Sequence, residues 1–272
     1  MPDCDNNCAA CGQDCPSRQA ENLRAQANAL SNVKKVIAVV SGKGGVGKSL
    51  TTSLLAVNAR RKGKNVAIID ADLTGPSIPK AFGLTEMATA NETTLFPVRS
   101  ETGIEVMSIN LLIDDPTSPV IWRGPVLAGL IKQFWTDVAY GDIDELYIDM
   151  PPGTGDVPLT VFQSLPIDGI VVVTSPQDLV SLIVEKAVKM AEMMNIPILA
   201  LVENMSYLEC PHCGERIYPY GQGGKQEAER LNIPFYDSLP IDPKLAKYVD
   251  AGAIEEYEGD YLKALSEHIS SL

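Results

Sequence analysis

From Val36 onward the chain alternates short, continuous apolar runs with longer stretches in which apolar residues recur three or four apart. The runs are Val36–Val40, Val66–Ile69, Leu146–Ile148, Ile170–Val173 and Ile198–Val202. Unbroken runs of this length, rich in Val and Ile, suit strands covered on both faces, as in a parallel sheet. Leu179–Met194 carries the helical period and predicts a crossover helix. Strand, helix and parallel strand repeated along one chain predict a doubly wound, mainly parallel α/β fold. Thr93–Pro119 is less regular and predicts a hairpin or short edge strands. This domain is expected to span residues 31–272. Residues 1–30 form a tail and linker: 1–16 lack apolar periodicity and depend for order on what they bind, and 17–31 are predicted as a short linking helix.

Composition narrows the functions this fold could serve. At 272 residues the chain suits one large domain. Its 35 acidic residues outweigh 22 basic ones, for a net charge of −13, so a general grip on nucleic acid or anionic lipid has no electrostatic support. No apolar run reaches the roughly 18 residues of a membrane span, and the first residues are acidic and Cys-rich where a signal peptide would be basic then apolar. The expected location is cytoplasmic. Six cysteines fall into two tight groups, Cys4, Cys8, Cys11 and Cys15, then Cys210 and Cys213. In a reducing compartment such clustering favours metal ligation over disulfides.

Gly42-Lys43-Gly44-Gly45-Val46-Gly47-Lys48-Ser49 matches G-x-x-x-x-G-K-S, the phosphate-binding loop, and lies between the strand pattern Val36–Ser41 and the helical pattern Leu50–Arg61. Glycines let backbone N–H groups turn onto the β-phosphate, the following helix adds its dipole, Lys48 neutralises β/γ oxygens, and Ser49 is a Mg²⁺ ligand. Asp149 closes an apolar strand just before Pro151-Pro152-Gly153-Thr154-Gly155-Asp156, where P-loop proteins place the carboxylate that holds Mg²⁺ through water. Asp70 and Asp72 end the strand Val66–Ile69 and are candidates to orient the attacking water; helix capping is the plainer alternative for both. ATP with magnesium is the expected ligand, and Leu50 completes the loop's expected contacts.

Lys43 inside the loop makes it resemble the deviant Walker A, K-G-G-V-G-K-[ST], of the superfamily that holds the nitrogenase iron protein and cell-division ATPases. Ile69-Asp70-Ala71-Asp72 with Gly75-Pro76-Ser77, then Asp149–Asp156, then Glu203-Asn204-Met205-Ser206 ahead of Cys210-Pro211-His212-Cys213, resemble the Mrp/ApbC family of iron–sulfur cluster carriers. The resemblance runs from about Val36 to the C-terminus. It implies a homodimer in which Lys43 reaches the partner's nucleotide, and adenine recognition by Asn204, which by spacing alone is a turn residue. It also implies slow ATP hydrolysis, and transfer of a labile [4Fe–4S] cluster to apo-proteins, with assembly scaffolds as further partners.

Cys210-x2-Cys213 offers two thiolates where a four-iron cluster or a structural zinc takes four. A second copy of the chain would supply the missing pair across a two-fold axis. A zinc clasp and free thiols are the alternatives. The tail spacing Cys4-x3-Cys8-x2-Cys11-x3-Cys15-Pro16 is one residue from the bacterial ferredoxin run, and is expected to hold an iron–sulfur cluster, with zinc or no metal as alternatives. Scaffold members of the family with an N-terminal four-cysteine cluster have a much longer first gap. Two rival functions share the fold. A partition or division-site ATPase would want a basic amphipathic C-terminus, whereas Glu255–Asp260 is acidic. A reductase like the nitrogenase iron protein takes its cluster cysteines from separate loops rather than one Cys-x2-Cys. Trp122 and Arg123 resemble a family motif, with core packing and capping as the plain alternative; His268 is expected in solvent.

Overall fold

The computed structural model describes residues 24–72, 75, 77–113, 124–153, 155–176 and 180–272, without the side chains of 124, 125, 156 and 180–183. The elements begin with β1 (Ser31–Val33), β2 (Val36–Ser41), α1 (Lys48–Arg61), β3 (Val66–Asp70) and α2 (Ile78–Ala81). Short strands β4 (Thr89–Ala90), β5 (Leu95–Phe96) and β6 (Val98–Arg99) lead into β7 (Glu105–Ser108). Then come α3 (Gly124–Thr136), β8 (Gly141–Ile143), β9 (Glu145–Asp149), α4 (Asp156–Ser164), β10 (Gly169–Thr174), α5 (Val180–Met193) and β11 (Ile198–Glu209). The chain closes with β12 (Arg216–Ile217), α6 (Gly224–Arg230), β13 (Tyr236–Pro240), α7 (Pro243–Asp250) and α8 (Lys263–Ser271).

Nine strands form one sheet in the order β12-β11-β10-β2-β9-β3-β7-β6, with β13 also paired to β11. Pairing is parallel except at the two short edge strands, β12 on β11 and β6 on β7. Parallel neighbours need crossovers, and the crossover helices cover both faces. Alternation along β2 divides the core: Val36, Ala38 and Val40 pack with Ile131, Phe134, Phe162 and Val184. Ile37 and Val39 pack on the opposite side with Leu54, Leu55, Leu265 and Ile269. All five predicted apolar runs are central strands, so the doubly wound reading holds. Leu179–Met194 contains α5, and the irregular stretch after Thr93 contains β5, β6 and β7 within its described part.

The linking helix is not seen in the described part of its range. Residues 24–30 are non-helical, and Ser31–Val33 pairs with β8 as a strand. The physical cause is competition for backbone groups. Ala25 N–H donates to the Ser164 carbonyl at 2.7 Å, Asn28 N–H donates to the Trp135 carbonyl at 3.3 Å, and the Ala25 carbonyl accepts from Trp135 Nε1 at 3.1 Å. Tertiary partners therefore take the bonds a helix would have used. His268 is half-buried and stacked on Phe235, with ring centroids 5.1 Å apart, rather than lying free in solvent.

Candidate functional site

The phosphate loop leaves the C-terminal end of β2 and feeds α1, whose first residue is Lys48. At the same sheet end β3 and β9 finish on Asp70 and Asp149, which are register partners on adjacent strands. Such placement at the carboxyl ends of parallel strands is where open α/β sheets bind ligands. Ser41, Gly44, Lys48, Ser49, Leu50 and Asp72 contribute to the wall of a cavity of about 480 Å³. Its remaining wall includes Ser77, Ala81, Pro152 and Val249. Sequence reading did not single out Ala81 or Val249. Both are apolar residues whose role depends on where α2 and α7 dock, and neither carries a local signal.

Lys48 and Asp149 are both deeply buried, and Lys48 Nζ donates to Asp149 Oδ1 at 2.7 Å. Ser49 Oγ donates to Asp149 Oδ2 at 2.6 Å, and Thr52 Oγ1 donates to Oδ1 at 3.2 Å. Asp72 Oδ2 lies 3.3 Å from Lys48 Nζ. Burial alone would push the Lys48 ammonium down, but the charges of Asp149 and Asp72 more than offset it and hold it above its ordinary value. Burial raises the Asp149 carboxyl, opposed by Lys48 and Ser49. Asp70 is pushed well above the carboxylate range, first by burial and then by the neighbouring charge of Asp149.

Asp70 and Asp72 therefore separate in role. Asp70 is fully buried, accepts from Ser108 Oγ and Asp72 N–H, each at 3.2 Å, and lies behind the cavity wall. Asp72 lines the cavity. Asp70 thus spends its oxygens on Ser108 Oγ and a backbone N–H, while Asp72 lies against the Lys48 ammonium. Two carboxylates, Asp149 and Asp72, share one ammonium, and the Ser49–Asp149 oxygen pair is a hard donor set, so the residues fit a magnesium ion.

Asn204 sits beneath the phosphate loop. Its Nδ2 donates to the Val46 carbonyl at 3.0 Å, and its buried Oδ1 has no hydrogen-bond partner. Gly47 has φ +87°, and a Cβ there would come within 2.0 Å of Asn204 Nδ2, so only glycine fits. Gly42 is half-buried and Lys43 is exposed at the loop's outer edge. Gly45 shares the positive φ of Gly47, at +80°.

Cys210 and Cys213 lie in a tight turn at the end of β11, away from the phosphate loop in sequence but on the strand that carries Asn204. Cys210 N–H donates to the Glu215 carbonyl and Gly214 N–H to the Cys210 carbonyl, both at 2.9 Å, and Cys213 is exposed. The backbone N–H groups of His212 and Cys213, turned onto the Cys210 sulfur, hold its thiol below the ordinary value. Arg216 stacks over Tyr207 at 4.4 Å and closes the base of the hairpin. Among the described residues no group of three or more His, Cys, Asp and Glu can hold a metal within this one chain. Cys4, Cys8, Cys11 and Cys15, with Thr74, Pro76, Trp122, Arg123 and Thr154, lie outside the described residues.

Comparison with known proteins places this geometry in a family. An iron–sulfur cluster carrier protein from Clostridium perfringens is 42% identical over 256 residues, covering 91% of this chain and 87% of that protein. A nucleotide-binding protein from Archaeoglobus fulgidus, solved in complex with ADP, is 47% identical with a TM-score of 0.76, covering 84% of this chain and 90% of that one. The cell-division ATPase MinD of Pyrococcus furiosus shares the fold alone, at 20% identity and a TM-score of 0.63 over 87% of this chain and 98% of that one. A family model, ParA, described as NUBPL iron-transfer P-loop NTPase, matches residues 32–271. With phosphate loop, buried Asp149 and cysteine turn all inside that match, the chain belongs to the ParA family of NUBPL-type iron-transfer P-loop NTPases.

Proposed function

We propose that this protein is an ATP-dependent iron–sulfur cluster carrier, in which two copies hold a labile [4Fe–4S] cluster between them and pass it to apo-proteins. The observation that carries this reading is the turn Cys210–Cys213, an accessible pair of thiols that supplies half of a four-thiolate site. A second copy related by a two-fold axis supplies the other half. The name of the Clostridium relative supports the cargo, and the reducing cytoplasm suits free thiols. Assembly scaffolds that load the cluster and apo-proteins that receive it are the expected partners. The tail cysteines Cys4, Cys8, Cys11 and Cys15 form a candidate second cluster site.

ATP hydrolysis in this reading is slow and regulatory. Lys48 neutralises the β- and γ-phosphates, Asp72 orients the attacking water from the cavity wall, and Asp70 supports Asp72 from behind. Lys43 reaches across the dimer, and Asn204 is assigned to adenine by the family resemblance, its Nδ2 being held by the Val46 carbonyl. Mg²⁺, held by Ser49 and through Asp149, would supply Lewis-acid stabilisation of the transferring phosphoryl group. Before it binds, Ser49 must exchange its bond to Asp149.

The test is anaerobic reconstitution with iron, acid-labile sulfide and zinc counted per chain, in a background with the four tail cysteines changed to serine. The expected result is about two iron atoms per chain, one four-iron cluster per dimer, lost in the Cys210→Ala/Cys213→Ala double variant. Zinc alone, or no metal, at this turn would overturn the carrier reading. Reversible one-electron cycling coupled to ATP, rather than one-way cluster loss to an acceptor, would favour an ATP-gated reductase.

A further inference from the structure

Strand β11 is twelve residues long and runs from its pairing with β10 to the cysteine turn, with Asn204 against the phosphate loop on its way. It is not regular throughout. Against β13, Glu203 pairs with Ser238 and Tyr207 with Pro240, so β11 spends four residues where β13 spends two. The surplus is a bulge at Asn204-Met205-Ser206, and Met205 sits in the left-handed region at φ +58°. A methionine there carries strain that glycine would not.

Each end of the bulge is tied to a different place. Asn204 reaches the Val46 carbonyl of the phosphate loop at 3.0 Å. Ser206 Oγ folds back to donate to Glu203 Oε2 at 2.6 Å, and Tyr236 OH donates to the same oxygen at 2.9 Å. Beyond Ser206 the strand continues to Glu209, pairs with β12 and enters the turn at Cys210. Tyr218, just past β12, lies against Tyr207 and lines a cavity of about 180 Å³ with Glu203, Ser206 and Tyr236. Two buried acceptors lie without partners at the entry to the bulge, Glu203 Oε1 and Asn204 Oδ1. Strain, unspent hydrogen-bond capacity and adjoining free space occur together at the only irregular point between Asn204 and the cysteine turn on this strand.

We propose that the Asn204–Ser206 bulge is a two-state positioning element that couples occupation of the phosphate loop to the conformation of the Cys210–Cys213 hairpin. When nucleotide shifts the loop, the Val46 carbonyl moves its hold on Asn204. The bulge then redistributes its extra length, Ser206 exchanges its bond to Glu203, and the hairpin changes angle on the sheet. Bistability of this kind needs a discrete alternative packing, which the cavity and the two unpartnered acceptors provide. Its use in cluster release depends on the carrier reading, but the coupling itself is measured without any cluster.

The experiment is amide hydrogen exchange on full-length, reduced, cluster-free protein with and without a non-hydrolysable ATP analogue and Mg²⁺. Light scattering on the same samples records the oligomeric state. In wild type, exchange in Tyr207–Ile217 is expected to change by about fivefold or more on nucleotide binding. In Met205→Gly, where positive φ is unstrained, protection of Val46–Leu50 is retained while the response of Tyr207–Ile217 is lost. Ser206→Ala, which frees the bulge from Glu203, is expected to weaken the response in the same segment. A hairpin unresponsive in wild type, or equally responsive in both variants, overturns the proposal. Protection that tracks dimer formation and persists in Met205→Gly overturns it too. Failure of iron–sulfur reconstitution would leave this coupling standing and remove only its purpose.

Discussion

Lys48 Nζ lies 2.7 Å from Asp149 Oδ1, and both side chains are withdrawn from solvent at the carboxyl end of the parallel sheet. The pair is thus both a structural tie between α1 and β9 and the electrostatic floor of the phosphate site. Removing the ammonium leaves Asp149, Asp72 and Asp70 facing one another.

Lys48→Ala is therefore expected to lower stability by about 3 kcal/mol in the nucleotide-free protein, the scale of breaking a buried ion pair from one side. Wild type should gain about 2.7 kcal/mol from MgADP at a hundred times its dissociation constant, and Lys48→Ala should gain nothing. Denaturant unfolding with and without MgADP checks both.

The two strand-end aspartates should differ in kinetics. Asp72 lines the cavity, so Asp72→Asn is expected to cut hydrolysis by about 10²-fold or more while nucleotide still binds. Asp70→Asn, isosteric and behind the wall, should lower hydrolysis far less. Single-turnover phosphate release alongside nucleotide affinity separates the two; equal losses would merge their roles.

Gly47 and Asn204 should be coupled sterically. Gly47→Ala places a methyl group against Asn204 Nδ2 and forces alanine to positive φ, and it is expected to weaken nucleotide binding strongly. Gly47→Ala/Asn204→Ala removes the clash but keeps the backbone strain, so the double variant should bind better than Gly47→Ala alone. Calorimetric titration of the four proteins in this cycle measures the interaction directly.

Glu105 offers a pH test remote from the nucleotide. Its Oε2 is buried without a partner and burial raises its carboxyl, against the opposing pull of the exposed Arg99. With the folded value above the unfolded one, the unfolded chain releases its proton first as pH rises. Stability is therefore lost from about pH 4 upward until the folded carboxyl has also ionised. Glu105→Gln removes this loss. Its unfolding temperature should exceed wild type by about 2–4 °C at pH 7, the gain shrinking to nothing near pH 4.

The sequence by itself determined the central strands, because continuous apolar runs such as Val36–Val40 and Ile198–Val202 have no stable place other than a sheet covered on both sides. It also determined the phosphate loop, since glycines, Lys48 and Ser49 act through local backbone geometry within one strand–loop–helix unit. The cysteine turn was equally legible, as a spacing of two residues is local chemistry.

Tertiary structure alone decided what depends on distant partners. Residues 24–31, the described part of the expected linking helix, gave up helix for bonds to Ser164 and Trp135 and for pairing with β8. Asp70 and Asp72 look alike in sequence, yet strand register buries one against Asp149 and turns the other to the cavity. Val249, about two hundred residues from the loop, reaches the same cavity only because α7 packs near α2. The bulge at Met205 is visible only against β13, because a register surplus is a property of two strands and never of one.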